Sequence, residues 1–167
     1  MTSLFADANR VQKALRTFAA SSTGAWFFSR TAHHLDRALA RATKGRRTVA
    51  GVLFGVPTVL LTTTGAKTGQ PRCVPVLGVP YGAFLGLIAS NWGQAKHPAW
   101  YYNLKADPEA EISVDGDNHA VRARLATPAE RDEIWTAGLA YYPGWRNYEV
   151  RAGTRHIEAF VLDRRVP

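Results

Sequence analysis

The feature that most constrains the fold is a series of short β-patterned runs joined by connections too short to cross a sheet. Residues 58–63, 72–80 and 84–90 are apolar runs separated by Gly, Pro and a Tyr81-Gly82 turn. A parallel pair needs a crossover of about a dozen residues or more, so these runs are expected to pair as an antiparallel meander. Residues 110–114 and 119–126 flank Asp115-Gly116, a pair that favours the positive φ of a tight hairpin. Within the second of these runs Val121, Ala123 and Leu125 alternate with Arg122 and Arg124, the period of a strand with one wet face.

Two helices punctuate the strands. His97-Pro98 opens a short one carrying Trp100, Tyr101 and Leu104, which Asp107-Pro108 ends. Thr127-Pro128-Ala129-Glu130 is a capping-box sequence and predicts a helix over 128–140. Tyr141-Tyr142-Pro143-Gly144-Trp145 then reads as an aromatic loop running through Arg146 and Tyr148 to a last strand near 156–163, with Ile157, Ala159 and Val161 on one face. Upstream, residues 7–20 and 25–42 show helical spacing of Val11, Leu15 and Phe18 and of Trp26, Leu35 and Leu39. The order βββ-α-ββ-α-β favours an α+β fold, a small antiparallel barrel decorated by helices, over a parallel βαβ sheet. With 167 residues, 46% of them hydrophobic, one structural domain is expected: an N-terminal helical extension over 1–57 packed on a barrel over 58–167.

The hairpin between the first two strands concentrates chemistry. Leu-Leu-Thr-Thr-Thr-Gly-Ala-Lys-Thr-Gly-Gln-Pro-Arg at 60–72 combines hydroxyls (Thr64, Thr68), glycines (Gly65, Gly69) that permit positive φ, and two cations (Lys67, Arg72) suited to phosphate or carboxylate oxygens. It is not a nucleotide P-loop, because Ala66 precedes Lys67 and no glycine lies among residues 56–64. The formal charge of +8, from 21 Lys and Arg against 13 Asp and Glu, favours an acidic cofactor, nucleic acid or an anionic membrane face as partner. Residues 24–47 hold Arg30, Arg37, Arg41, Lys44, Arg46 and Arg47 beside Trp26, Phe27 and Phe28, which reads as a membrane-surface helix or as a helix packed on the barrel.

Other chemistries lack their residues. Cys73, the single cysteine, lies in an apolar strand and reads as a buried small hydrophobe; no Gly-x-Ser-x-Gly elbow is present. No metal site is expected, since His97, His119 and His156 lie far apart and the adjacent His33 and His34 point about 100° apart on a helix. One cysteine, no apparent signal peptide and no run of about 18 apolar residues make a cytoplasmic setting the expectation, with peripheral contact at the inner face of the membrane through the N-terminal helices as an addition. What remains is the anion hairpin, the loop from Ala89 to Tyr101, and the late aromatics. Ser90 and Asn91 offer hydrogen bonds, and Trp100, Tyr142, Trp145 and Tyr148 offer π-faces and hydroxyls for a flat acidic molecule.

Leu-Thr-Thr-Thr-Gly-x-Lys-Thr-Gly-Gln-Pro-Arg at 61–72, Ala-Ser-Asn at 89–91, His-Pro-Ala-Trp-Tyr-x-Asn-Leu at 97–104, Ala-Asp-Pro-Glu at 106–109 and Tyr-Pro-Gly at 142–144 closely resemble the deazaflavin (F420)-dependent nitroreductase family over most of residues 24–165. The resemblance implies a split β-barrel, related to FMN-binding split barrels, that binds coenzyme F420 and passes hydride to a quinone-like, enone or nitroaromatic acceptor. It further implies cofactor contacts at Thr64, Gly65, Lys67, Thr68, Arg72, Pro75, Ser90, Asn91, Lys96 and Trp100. Leu77, Tyr142, Trp145 and Tyr148 would border the acceptor, with Ser90, Tyr142 and Tyr148 as catalytic groups. Ala66, Asn91 and Leu77 stand where relatives have a second cation, a Lys and a Tyr. The alternatives are an FMN-using split barrel and a non-enzymatic binder of nucleic acid or a lipid-like ligand; a homodimer is expected only by analogy of fold.

Overall fold

The computed structural model describes Ser21, residues 58–114 and residues 116–165. The expected N-terminal helices and their membrane contact lie outside these residues. Six strands, β1 (Thr58–Thr64), β2 (Pro71–Tyr81), β3 (Phe84–Ile88), β4 (Glu109–Val114), β5 (Asp117–Leu125) and β6 (Ala159–Arg164), close into a barrel in the order β1-β2-β3-β6-β5-β4. Every pairing is antiparallel, and the short connections require it for β1–β2, β2–β3 and β4–β5. Helix α1 (Ala99–Ala106) follows β3, and α2 (Pro128–Tyr141) and α3 (Trp145–Ala152) lie between β5 and β6.

Alternation along the strands builds two cores. Val59 and Leu61, Ile112 and Val114, Val121 and Ala123, and Phe160 and Leu162 fill the barrel with Trp100, Tyr101 and Leu104 of α1. The opposite faces of β2, β3 and β6 contribute Val79, Ile88, Ala159 and Val161 to a second cluster beneath α2 and α3. Helix α2 can lie this close because Gly86 of β3 has no side chain: a Cβ there would stand 2.9 Å from Ile134.

The α2 capping box is present, with the Thr127 hydroxyl accepting from Glu130 N and the Glu130 carboxylate accepting from Thr127 N at 2.8 Å. Arg124 donates to both oxygens of the same carboxylate at 2.8 and 2.7 Å. These bonds, the Arg124 pair foremost, hold the Glu130 pKa down at about 2. Thr127→Ala is expected to lower stability by about 1 kcal/mol, read as a shifted urea midpoint at constant slope.

The structure departs from the sequence expectations at four points. The aromatic stretch after Pro143 is helical, because Trp145, Tyr148 and Ala152 share one face that the second cluster buries. Cys73 is exposed, since the first part of the 11-residue β2 pairs with β1 alone and runs clear of β3. Leu125, at the end of β5, is 41% exposed instead of continuing the buried face of Val121 and Ala123. Gly69 takes a positive φ of 66°, whereas Gly65 does not; Gly65 is needed for close approach, as a Cβ would lie 2.8 Å from Thr68 Oγ1. Among the described residues no helix is long and apolar enough to cross a membrane.

Candidate functional site

The β1–β2 hairpin is a tight cage of backbone bonds. Thr68 N and Gly69 N donate to Gly65 O at 3.0 and 2.8 Å, and Gly65 N donates to Gln70 O at 2.9 Å. The Thr68 hydroxyl accepts from Gln70 N at 3.3 Å and from Arg72 Nη2 at 3.4 Å, which draws the guanidinium over the turn. Lys67 and Arg72 are exposed, and among the described residues neither they nor Lys96 has a carboxylate within ion-pair distance. Lys67 and Arg72, two cations on one hairpin with no carboxylate partner among the described residues, suit a polyanionic ligand.

One residue to which the sequence assigns no role braces this hairpin. Asn103 of α1 is 8% exposed; its Nδ2 donates to Thr63 Oγ1 at 3.0 Å and its Oδ1 accepts from Ala66 N at 3.0 Å. A signal does exist, since Asn103 shares an otherwise apolar helix face with Trp100 and Leu104. Trp100 itself points into the barrel core, against Phe160 at a centroid distance of 5.9 Å. Pro75 of β2 is half-buried opposite Leu60.

The loop after β3 carries the second set. Asn91, Trp92 and Gly93 have φ of 45°, 57° and 74°, a left-handed turn in which two members are not glycine. Such a conformation costs roughly 1–2 kcal/mol per non-glycine residue and persists only where its surroundings enforce it. Asn91 Nδ2 donates to Lys96 O at 2.8 Å, and a Cβ on Gly93 would lie 2.8 Å from Tyr148 O, so the turn sits directly on α3. Ser90, half-buried, precedes it. Arg155, beyond α3, donates to Ala89 O, Ser90 O and Gln94 O; no sequence pattern marks a residue whose partners are mostly backbone carbonyls. His97 stacks on Tyr101 at 4.0 Å, and burial, aided by Arg155 and Lys105 and opposed by Glu158, pushes its pKa below the ordinary value.

The four residues assigned to the acceptor do come together. Tyr142, Trp145 and Tyr148 belong to the second core cluster, and Leu77 packs against it, as does Trp92. The Tyr142 and Tyr148 hydroxyls are 2.8 Å apart. Burial, then the neighbouring Tyr142, pushes Tyr148 well above the usual phenol range, so it remains a protonated hydrogen-bond donor and is no base. Arg131 of α2 pairs with Glu149 of α3 at 3.1 Å and fixes the two helices together. Among the described residues no cluster of His, Cys, Asp or Glu is placed to hold a metal ion.

The closed antiparallel barrel carries a cationic hairpin with no carboxylate partner among the described residues, a strained polar loop and an aromatic wall, an arrangement suited to a flat, anionic ligand. The chain belongs to the F420H(2)-dependent quinone reductase family, whose profile matches residues 33–164. It is 36% identical over 135 residues to an F420H(2)-dependent quinone reductase of Mycobacterium tuberculosis, covering 78% of this chain and 89% of that one. Among solved structures, an F420-H2 dependent reductase superposes with a TM-score of 0.59 at 34% identity, covering 64% of this chain and 94% of the other. A structure described as a domain-swapped dimer gives 0.60 at 32% identity, covering 76% and 96%.

Proposed function

We propose that this protein reduces a quinone with a hydride taken from reduced coenzyme F420, the quinone oxygens gaining the proton that completes the quinol. The observation that carries this reading is the hairpin on which Lys67 and Arg72 stand without a carboxylate partner among the described residues. The phosphate and glutamate carboxylates of that cofactor need such cations, and family membership supports the same group.

The deazaflavin, when bound, supplies the hydride. Lys67, Arg72 and Lys96 hold its acidic tail, with Thr64, Gly65, Thr68 and Pro75 along the hairpin. Ser90 and Asn91 hydrogen-bond its phosphate and ring side, and Trp100 backs the pocket from the barrel. Tyr142 and Tyr148 act as neutral donors that stabilise negative charge developing on the acceptor oxygen, a role Ser90 shares. Leu77 and Trp145 set the acceptor pocket's shape. Quinones are the primary acceptors, supported by the name of the mycobacterial relative, and flat enones and nitroaromatics enter the same pocket.

Fluorescence titration with the purified cofactor is the test. Saturable binding is expected, weakened at least tenfold in the Lys67→Ala, Arg72→Ala double variant, since each charged hydrogen bond is worth about 1.5–3 kcal/mol. No binding by the wild type rejects the cofactor; undiminished binding by the double variant rejects the tail assignment. A panel of quinones, enones and nitroaromatics with reduced cofactor then decides the acceptor. The protein is read as a homodimer, which the domain-swapped relative supports and a monomeric mass by sedimentation overturns.

A further inference from the structure

We propose that Arg155 is a positioning residue that locks the left-handed turn at Asn91–Gly93 to the segment carrying the catalytic tyrosines. One planar guanidinium brackets the turn from both sides. Nη1 donates to Ala89 O at 3.0 Å and Nη2 to Ser90 O at 2.8 Å before it, while Nε donates to Gln94 O at 2.8 Å after it. Nη1 also lies 3.4 Å from His97 Nδ1, at the far end of the same loop.

These contacts have a purpose that packing alone does not serve. The turn's own bonds, Gly93 N to Ser90 O at 2.9 Å and Gln94 N to Asn91 O at 3.0 Å, hold φ values that Asn and Trp disfavour. Such a turn needs an external constraint, and a fixed fork that ties the carbonyls on both flanks supplies it. Arg155 stands two residues after Gly153, whose φ of 62° turns the chain sharply at the end of α3. Its backbone N also donates to Ala152 O at 3.1 Å, which ties the arginine to that helix end. On the other side Gly93 touches the Tyr148 backbone. The loop bearing Ser90 and Asn91 and the helix bearing Tyr148 therefore share one fastener.

Among the described residues no carboxylate lies within ion-pair distance of Arg155. Its charge is spent on carbonyl dipoles, so lysine, which has three donors radiating from a single atom, cannot reproduce the bracket. This assignment rests on the reading of Ser90 and Asn91 as cofactor contacts and of Tyr148 as an acceptor contact.

The test compares Arg155→Lys and Arg155→Met with the wild type. Both variants are expected to lose at least tenfold in kcat with a quinone at saturating reduced cofactor. Cofactor Kd should rise by a smaller factor than kcat falls, because Lys67 and Arg72 still hold the tail while the Ser90 and Asn91 contacts loosen. Amide exchange at residues 90–94 should accelerate while β1 and β4 keep their protection. In Arg155→Met the His97 pKa, followed by NMR against its neighbours Lys105, Glu158 and His156, should rise as the guanidinium is removed. Full recovery of kcat by lysine reduces the role to charge and overturns the proposal, as does unchanged exchange at 90–94. If the wild type binds no deazaflavin, the functional reading fails, while the exchange and His97 measurements still decide whether Arg155 holds the turn. Should the methionine variant not fold, kcat and amide exchange of the lysine variant decide the same question.

Discussion

Replacing Asn103 with Leu is expected to cost about 1–3 kcal/mol of stability and to disable the cationic hairpin at the same time. Leucine has the branched outline of asparagine, is larger and is well suited to a helix, so neither a cavity nor propensity explains the loss. The cost comes from two polar groups left behind. The Thr63 hydroxyl, 2% exposed, loses its donor, while Ala66 N loses its acceptor at an exposed residue where water replaces part of the bond. An orphaned buried group costs about 1–3 kcal/mol, and Thr63 keeps a long contact with Arg72 O at 3.5 Å that softens its share. The hairpin then loses the pin just before Lys67, so cofactor affinity should fall even where the variant remains folded. Urea unfolding with an unchanged slope, beside a cofactor titration of the folded protein, measures both. A midpoint within error of the wild type shows that the amide braces nothing.

Trp145→Ala is expected to be the most damaging single truncation, at about 3–5 kcal/mol, whereas Trp145→Phe should cost less than about 1.5 kcal/mol. Trp145 is 1% exposed, lies nearly parallel to Trp135 at 6.1 Å and meets Tyr142 edge-on at 6.1 Å. Its six-membered ring presses on Gly138 of α2, where no Cβ fits. Among the described residues the indole N–H has no hydrogen-bond partner, so phenylalanine gives up ring area and no bond. Thermal unfolding of the two variants side by side gives the comparison. A phenylalanine variant as unstable as the alanine one contradicts the reading of Trp145 as a space-filling ring.

The barrel and the cationic hairpin are legible in the sequence because they depend on local signals. Turn residues fix β-hairpins, alternation fixes which face is buried, and Thr127 with Glu130 marks the start of α2. Lys67 and Arg72 stand out as paired cations in a glycine turn. Helix α3 escapes such a reading because Pro143-Gly144 signals a loop, while the burial of Trp145, Tyr148 and Ala152 that stabilises the helix is tertiary. Asn103 leaves a faint trace, a polar residue on an apolar face. Arg155 leaves none, since its partners are mainly carbonyls that every residue possesses. The exposure of Cys73 is equally hidden, as it follows from where β3 stops pairing with β2.

The position of β6 has a consequence for how the chain is made. Although last of the strands in chain order, it is no edge, lying between β3 and β5 and pairing with both. Until it emerges from the ribosome, a growing chain displays two unsatisfied strand borders at once, each able to recruit another unfinished copy. Docking of β6 removes both together, so the hazard of misassembly ends in one step with the placement of six residues.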